Sequence, residues 1–275
     1  MPQGPTSTVK GILFDLDGVL WRGDVLLPRA RETVIELRER GYSLAFVSNN
    51  SLHGYAGMKR KFERHGIPLA EGELCLATRV LAKAIADKLN RATVYLIGSQ
   101  GFKEDLEAHG LRVLEEPEEI DYLTDYVVVG GDWDFNYKKL TRALRCVKQG
   151  AKIAAPNADL YFPHEEGLLP GNGAVLAAIA AMAKRPPDLV VGKPQPHILT
   201  AAMERTDLPA DQCIMVGDSV DTDVAAAHAA GVRSVLVLSG NTTERDLKDA
   251  SLKPWRVING IAELPALLEN LAGAP

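Results

Sequence analysis

The chain has 275 residues, 46% hydrophobic and 24% charged, and 31 Lys plus Arg against 36 Asp plus Glu leave a formal net charge of −5. That composition suits a globular protein with a sizeable core in one or two domains, and its mildly acidic balance carries no footprint for nucleic acid or an anionic membrane. Three scattered cysteines (Cys75, Cys146, Cys213) show neither metal spacing nor a disulfide framework, MPQGPTSTVK lacks an apolar signal core, and no apolar run nears the ~18 residues of a membrane span, so a soluble cytoplasmic protein is expected.

Short apolar runs alternate with helical periods from residue 11 onward, the signature of a parallel α/β sheet. GILFDL (11–16) reads as a strand. ARETVIELRERG (30–41) reads as a helix with Ala30, Val34 and Leu37 on one face and Gly41 as its stop. YSLAFV (42–47) is the next strand and runs into SNNS, whose Ser51 is expected to cap a helix reaching Gly66.

The middle reads as a self-contained α/β unit. Strands ATVYLIG, YVVVGG and AKIAAP alternate with helices GFKEDLEAHG, YKKLTRALRCVKQG and GAVLAAIAAMAKR. The two prolines of KRPPD (184–188) then break the pattern as a hinge, after which DLVVG, CIMVG and SVLVLSG read as buried strands separated by helices around HILTAAMER and DTDVAAAHAAG. The expected division is a core of residues 1–80 and 188–275 with an inserted domain at 81–187.

Ligands of open parallel sheets bind beyond the carboxyl ends of strands, and four of these strands end in polar residues. Asp15 and Asp17 follow the first, Ser48, Asn49 and Asn50 the second, Lys193 the third, and Asp218, Asp221 and Asp223 the fourth. Asp15 and Asp17 alone read equally as turn acids around Gly18; a calcium loop is excluded because its twelfth position would be Leu26 rather than Glu. Together with Asp218 and Asp223 they form a carboxylate cluster that repels itself without a hard cation, and few dedicated acids with all-oxygen ligation suit Mg2+. Ser48 and Asn49 either make a turn and cap a helix or, beside a metal, form an anion cradle. Lys193, unremarkable alone, is in that company a partner for a phosphate oxygen.

FDLDGVLW, FVSNNS, VGKPQP and VGDSVDTD, in that order, resemble the four motifs of the haloacid dehalogenase superfamily. The insert between the second and third resembles the large-capped branch of para-nitrophenyl phosphatase-like and nucleotide or sugar phosphatases. So does PNADLYFPHEEGLLPGNGA (156–174), in which Ala158 replaces the branch's usual proline.

The resemblance implies a Rossmann-like, doubly wound parallel α/β core with an inserted α/β cap domain, and Mg2+-dependent hydrolysis of a small phosphomonoester. Asp15 is the expected nucleophile and a metal ligand. Asp17 is the general acid and then base, with its backbone carbonyl on the metal. Asp218 is the side-chain metal ligand, and Ser48, Asn49, Asn50 and Lys193 bind phosphate. Asp223 positions Lys193 or a metal water, Asp221 is a solvated helix-start acid, and His197 and Trp21 pack.

Asn157, Asp159 and Phe162 are the expected substrate-side residues of the cap, in a segment (157–163) expected to hang over the strand ends. Vitamin-phosphate (pyridoxal 5′-phosphate) phosphatases of the branch place a histidine where this chain has Phe162, so weak preference for that substrate follows. The implied partners are a small phosphorylated metabolite and a second copy of the chain through the cap. A phosphotransferase or mutase using the same aspartyl-phosphate chemistry, and a non-catalytic phospholigand-binding protein, stay open on the sequence.

Overall fold

A computed structural model describes residues 8–114, 123–164 and 167–272; Glu165 and Glu166 of the cap stretch, and most of MPQGPTSTVK, lie outside them. The chain forms two compact units. One takes in the chain up to Ser48, Arg60–Cys75 and the chain from Lys193 on; the other takes in Asn49–Lys59 and Leu76–Gly192.

The first unit is built on a six-stranded sheet in the order Arg256–Ile258, Arg233–Val237, Cys213–Gly217, Gly11–Phe14, Ser43–Ser48, Leu74–Leu76. Gly11–Phe14 is buried throughout and pairs parallel with both neighbours, Phe14 lying level with Val216 on one side and Phe46 on the other. Ile12, Leu13 and Phe14 are fully inaccessible, each side chain contributing about 1.5–3 kcal/mol on burial.

The chain starts in the middle of this sheet, winds outward through Ser43–Ser48, and returns on the other side at Cys213–Gly217. The order therefore reverses between Gly11–Phe14 and Cys213–Gly217, which is where doubly wound sheets open a crevice for ligand. Helix Ala30–Glu39 buries Ala30, Thr33, Val34 and Leu37, and its chain turns out at Gly41, whose φ of 83° is a left-handed conformation glycine adopts without cost.

The second unit has its own five-stranded parallel sheet, ordered Leu189–Val190, Lys152–Ala155, Tyr126–Val129, Thr93–Ile97, Arg112–Leu114. Tyr95, Ile97, Val127, Val129, Ile153, Leu176 and Ile179 make its core. Ser99 and Asn136 cap its helices Gln100–Glu107 and Tyr137–Lys148 by accepting N–H groups of the first turn. Tyr161–His164 pairs antiparallel with Gly167–Pro170 in a hairpin.

Three expectations need correction. The DLVVG strand is not a buried strand of the first sheet: Leu189–Val190 is a half-buried edge strand of the second, carried there by the crossover from Lys152–Ala155 through helix Asn172–Ala183. Ser51 caps no helix. The helix runs Gly54–Arg64, and Ser51 Oγ instead accepts the Gly131 N–H at 2.9 Å and donates to Asn172 Oδ1. His197 does not pack at its helix start; it is exposed there. The chain passes from one compact unit to the other at Ser48/Asn49, Lys59/Arg60, Cys75/Leu76 and Gly192/Lys193. Among the described residues no helix is long and apolar enough to cross a membrane.

Candidate active site

Asp15 is the first residue past strand Gly11–Phe14, and its N–H still bonds Val216 O at 2.8 Å. Asp218 is the first residue past Cys213–Gly217. Since Phe14 is level with Val216, the two acids leave adjacent strands at nearly the same height. Asp223 arrives from the π-helical turn Val220–Val224 that opens helix Ala225–Ala230. Carboxylate oxygens of Asp15, Asp218 and Asp223, all buried, lie within 4.8 Å of one another.

One cation lies among them. Lys193 Nζ donates to Asp15 Oδ1 at 2.5 Å and to Asp223 Oδ1 at 2.6 Å. Burial lowers the proton affinity of Lys193, but the two carboxylates outweigh it and hold the ammonium charged well above the usual lysine range. Three acids against one ammonium leave surplus negative charge. Burial, opposed by Lys193 and reinforced by Asp223 and Asp218, pushes Asp15 well above the ordinary carboxylate range. Burial and then Asp223, opposed by the Asn241 N–H, push Asp218 up to about 7.

Glycines make the room these carboxylates occupy. A Cβ on Gly18, whose φ is 84°, would stand 2.4 Å from Asp218 Oδ2, and one on Gly240 only 2.0 Å from the same oxygen. Asp218 Oδ2 accepts the Asn241 N–H at 2.6 Å, and Asp223 Oδ2 accepts the N–H groups of Asp218 and Ser219. The trio is thus held rigid from behind while carrying more negative charge than its one lysine offsets. That all-oxygen donor set fits a hard divalent cation.

Asp17 is not part of the trio. Its side chain is 53% exposed, and Oδ1 lies 3.9 Å from Lys61 Nζ. Its backbone is fixed by a bridge to Trp21 and by the Gly18 N–H donating to Trp21 O at 2.7 Å. Trp21 is fully buried, as expected. Asp221 is exposed on the π-helical turn.

Ser48 is the buried last residue of its strand, and Asn49 and Asn50 follow it directly. Asn50 Oδ1 accepts the N–H groups of Leu52 and His53, both at 3.0 Å, and so shapes the turn before the helix. Asn157 and Asp159 meet Asn49: Asn157 Nδ2 donates to Asn49 O at 2.6 Å, and Asn49 Nδ2 donates to Asp159 Oδ2 at 3.2 Å. The glycines of PGNG allow this turn, since a Cβ on Gly171 or Gly173 would overlap the carbonyl of Asp159 or Ala158. Phe162 is half-buried and lies edge-on to Trp133, with ring centroids 6.1 Å apart.

Two contributors carried little sequence signal. Asn241 acts through its backbone N–H, which every residue but proline has. Lys61 sits in a basic stretch that reads as solvated, although Met58, Lys61 and Phe62 share one helical face.

The family model described as haloacid dehalogenase-like hydrolase matches residues 12–112, and a second, described as HAD-hydrolase-like, matches residues 190–264. The chain is 32% identical over 257 residues to the 5'-nucleotidase YutF of Bacillus subtilis, covering 94% of this chain and 98% of that one. It is 33% identical over 261 residues to an acid sugar phosphatase of Staphylococcus saprophyticus, covering 95% and 98%. Among solved structures, a p-nitrophenyl phosphatase from Archaeoglobus fulgidus matches with a TM-score of 0.88 and 35% identity, covering 96% of this chain and 100% of that one.

Proposed function

Because the chain belongs to the haloacid dehalogenase-like hydrolases, and is a phosphatase acting on small phosphorylated substrates, we propose that it cleaves phosphomonoesters in two steps on Asp15 with Mg2+ as its cation. The observation that carries this reading is the Lys193 ammonium held between Asp15 and Asp223 at the sheet's switch point.

In the first step an Asp15 carboxylate oxygen bonds to phosphorus as the ester P–O bond breaks. Asp17, protonated, gives its proton to the leaving oxygen. In the second step Asp17 takes a proton from water, the water oxygen bonds to phosphorus, and the P–O bond to Asp15 breaks to release phosphate. Lys193 and the donors of Ser48, Asn49 and Asn50 bind the phosphoryl oxygens, and Asp223 keeps Lys193 in place. Asp15, Asp218 and the Asp17 carbonyl would hold the Mg2+, which when bound offsets the repulsion between carboxylate and phosphate dianion.

Sugar phosphates, nucleoside 5′-monophosphates and aryl phosphates are the substrate classes that the relatives' names bring to this chain. Phe162 offers no hydrogen bond, which supports broad acceptance of small or aryl phosphates over pyridoxal 5′-phosphate. Pairing of two copies through the inserted domain belongs to the same reading; exposed Trp133, Tyr137, Tyr161 and Leu168 support it, and sedimentation reads it.

The test is Mg2+-dependent turnover of p-nitrophenyl phosphate by the wild type and Asp15→Asn, with aluminium fluoride trapping. Loss of turnover with the fold intact, and a fluoride complex on Asp15, is expected. Near-wild-type turnover of the variant overturns the mechanism.

A further inference from the structure

Three polar side chains of the second unit, Ser51, Asn157 and Asn172, are buried where apolar ones would serve its packing. Burial of such groups is unfavourable unless each finds partners, and these are joined in series. Asn157 Nδ2 donates to Asn49 O at 2.6 Å. Asn172 Nδ2 donates to Asn157 O at 2.8 Å, and Asn172 Oδ1 accepts the Ser51 hydroxyl at 3.3 Å. Ser51 Oγ is in turn fixed by the Gly131 N–H at 2.9 Å. The series leaves the chain at Asn49 and rejoins it at Ser51, so it brackets Asn50.

What the series fixes follows from peptide geometry. The peptide joining Asn49 to Asn50 is trans, so the Asn49 carbonyl and the Asn50 N–H lie in one plane and point in opposite directions. A carbonyl pinned on Asn157 therefore sets the direction of that N–H. The Asn49 side chain is held as well. Its Nδ2 donates to Asp159 Oδ2 at 3.2 Å, and its Oδ1 lies against Gly192, where a Cβ would stand 2.5 Å away. The Asp159 N–H donates back to Asn157 Oδ1 at 3.0 Å. Asn49 and Asn50 directly follow strand Ser43–Ser48, yet they group with the second unit and not with the strand.

We propose that Asn157 and Asn172 are positioning residues which, acting in series, hold the Asn49–Asn50 peptide in the orientation that binds phosphate. This rests on the reading of Asn49 and Asn50 as phosphate-binding residues. Asn157 then acts on the phosphoryl group through the peptide and makes no contact with the leaving group.

Inorganic phosphate has no leaving group, so its affinity separates the two roles. The experiment measures the Ki of inorganic phosphate at saturating Mg2+, and kcat/KM for p-nitrophenyl phosphate and glycerol phosphate. The proteins are the wild type, Asn157→Ala, Asn172→Ala and the double variant. A side chain that only stabilises the fold changes the amount of active enzyme and leaves Ki where it is.

Asn157→Ala is expected to raise the phosphate Ki about tenfold, the scale of one lost hydrogen bond to a charged group, and to lower kcat/KM by a similar factor on both esters. Asn172→Ala shifts Ki in the same direction by less. The double variant is no worse than Asn157→Ala alone, because both act through one peptide. An unchanged Ki in Asn157→Ala, or losses that differ between the esters, overturns the proposal and leaves the phosphate reading standing. A Ki raised by only one of the single variants, or raised in the double variant by the product of the two factors, overturns the coupling in series. Phosphate that does not compete with substrate in the wild type overturns the phosphate reading, and the proposal falls with it. Should Asn157→Ala not fold, Asn157→Ser is read by the same criteria.

Discussion

Asp223 holds Lys193: its Oδ1 takes the ammonium at 2.6 Å while its Oδ2 takes the N–H groups of Asp218 and Ser219. One buried carboxylate therefore fixes both the counter-charge of Asp15 and the start of the loop bearing Asp218. The remaining negative charge has no protein partner of comparable strength among the described residues, which makes the site sensitive to charge removal and to pH.

Lys193→Met tests that balance. It leaves three buried carboxylates without their ammonium, and breaking a buried ion pair on one side costs about 3–5 kcal/mol. The metal-free variant should lose stability on that scale in urea at pH 7.5. The penalty should shrink at pH 5, below the value of about 7 to which Asp218 is pushed, where that carboxylate binds a proton and the surplus negative charge falls. Equal penalties at the two pH values would mean that the trio does not share one charge balance.

Asp15→Asn separates activity from stability. The proton affinity of Asp15 is raised in the folded state, so the stability it contributes is full below its unfolded pKa of ~3.9 and is lost as pH rises through the folded value. Ionised Asp15 therefore burdens the metal-free protein at neutral pH, and asparagine removes the burden. In EDTA at pH 8 the variant should melt above wild type, with the gap closing toward pH 4, while turnover falls at least ~10³-fold. A variant that melts lower at pH 8 would contradict the repulsion.

Metal binding should expel protons. Asp218 titrates at about 7 in the metal-free protein, so its contribution to stability is full below ~3.9 and lost as pH climbs through 7. Binding of Mg2+ requires the ionised form, so calorimetry in two buffers should show about one proton released per metal from Asp218 at pH 6, a contribution that fades above pH 8. At 100 times its Kd the metal should stabilise the fold by about 2.7 kcal/mol. Asp218→Ala should abolish both effects and Asp221→Ala neither, since Asp221 faces solvent. Unchanged activity after exhaustive EDTA dialysis would remove the cation from the reaction.

The trio and its lysine were legible because each is a charged residue type at a strand end or motif position, where an apolar neighbourhood makes charge conspicuous. The partner of each strand was not. An apolar run such as DLVVG satisfies either sheet, and only the crossover through Asn172–Ala183 sends Leu189–Val190 to the second. Ser51 had the right residue type for a cap, yet its hydroxyl serves Gly131, eighty positions away. Lys61 was hidden because MKRKFERH is read most simply as a solvated basic face. Its burial follows from sharing the face of Met58 and Phe62, both fully inaccessible. Asn241 left no mark, since its contact is made by a backbone N–H.

Gly240→Ala tests the metal site through a residue that bears no charge. Its Cβ would fall 2.0 Å from Asp218 Oδ2, closer than any real contact, so either the loop or the carboxylate must move. Movement of either breaks the 2.6 Å bond from the Asn241 N–H that fixes that oxygen. Loss of such a supporting contact typically costs 10–100-fold in metal affinity, so the Mg2+ concentration for half-maximal activity should rise by about that factor, with most of the turnover recovered at saturating metal. Gly260→Ala is the control. Gly260 has an extended φ of −170°, and its added Cβ would meet nothing nearer than Ser239 Cβ at 3.9 Å, so it should leave the requirement unchanged. A Gly240→Ala protein that folds and keeps the wild-type Mg2+ requirement would show that the Asp218 carboxylate does not hold the metal.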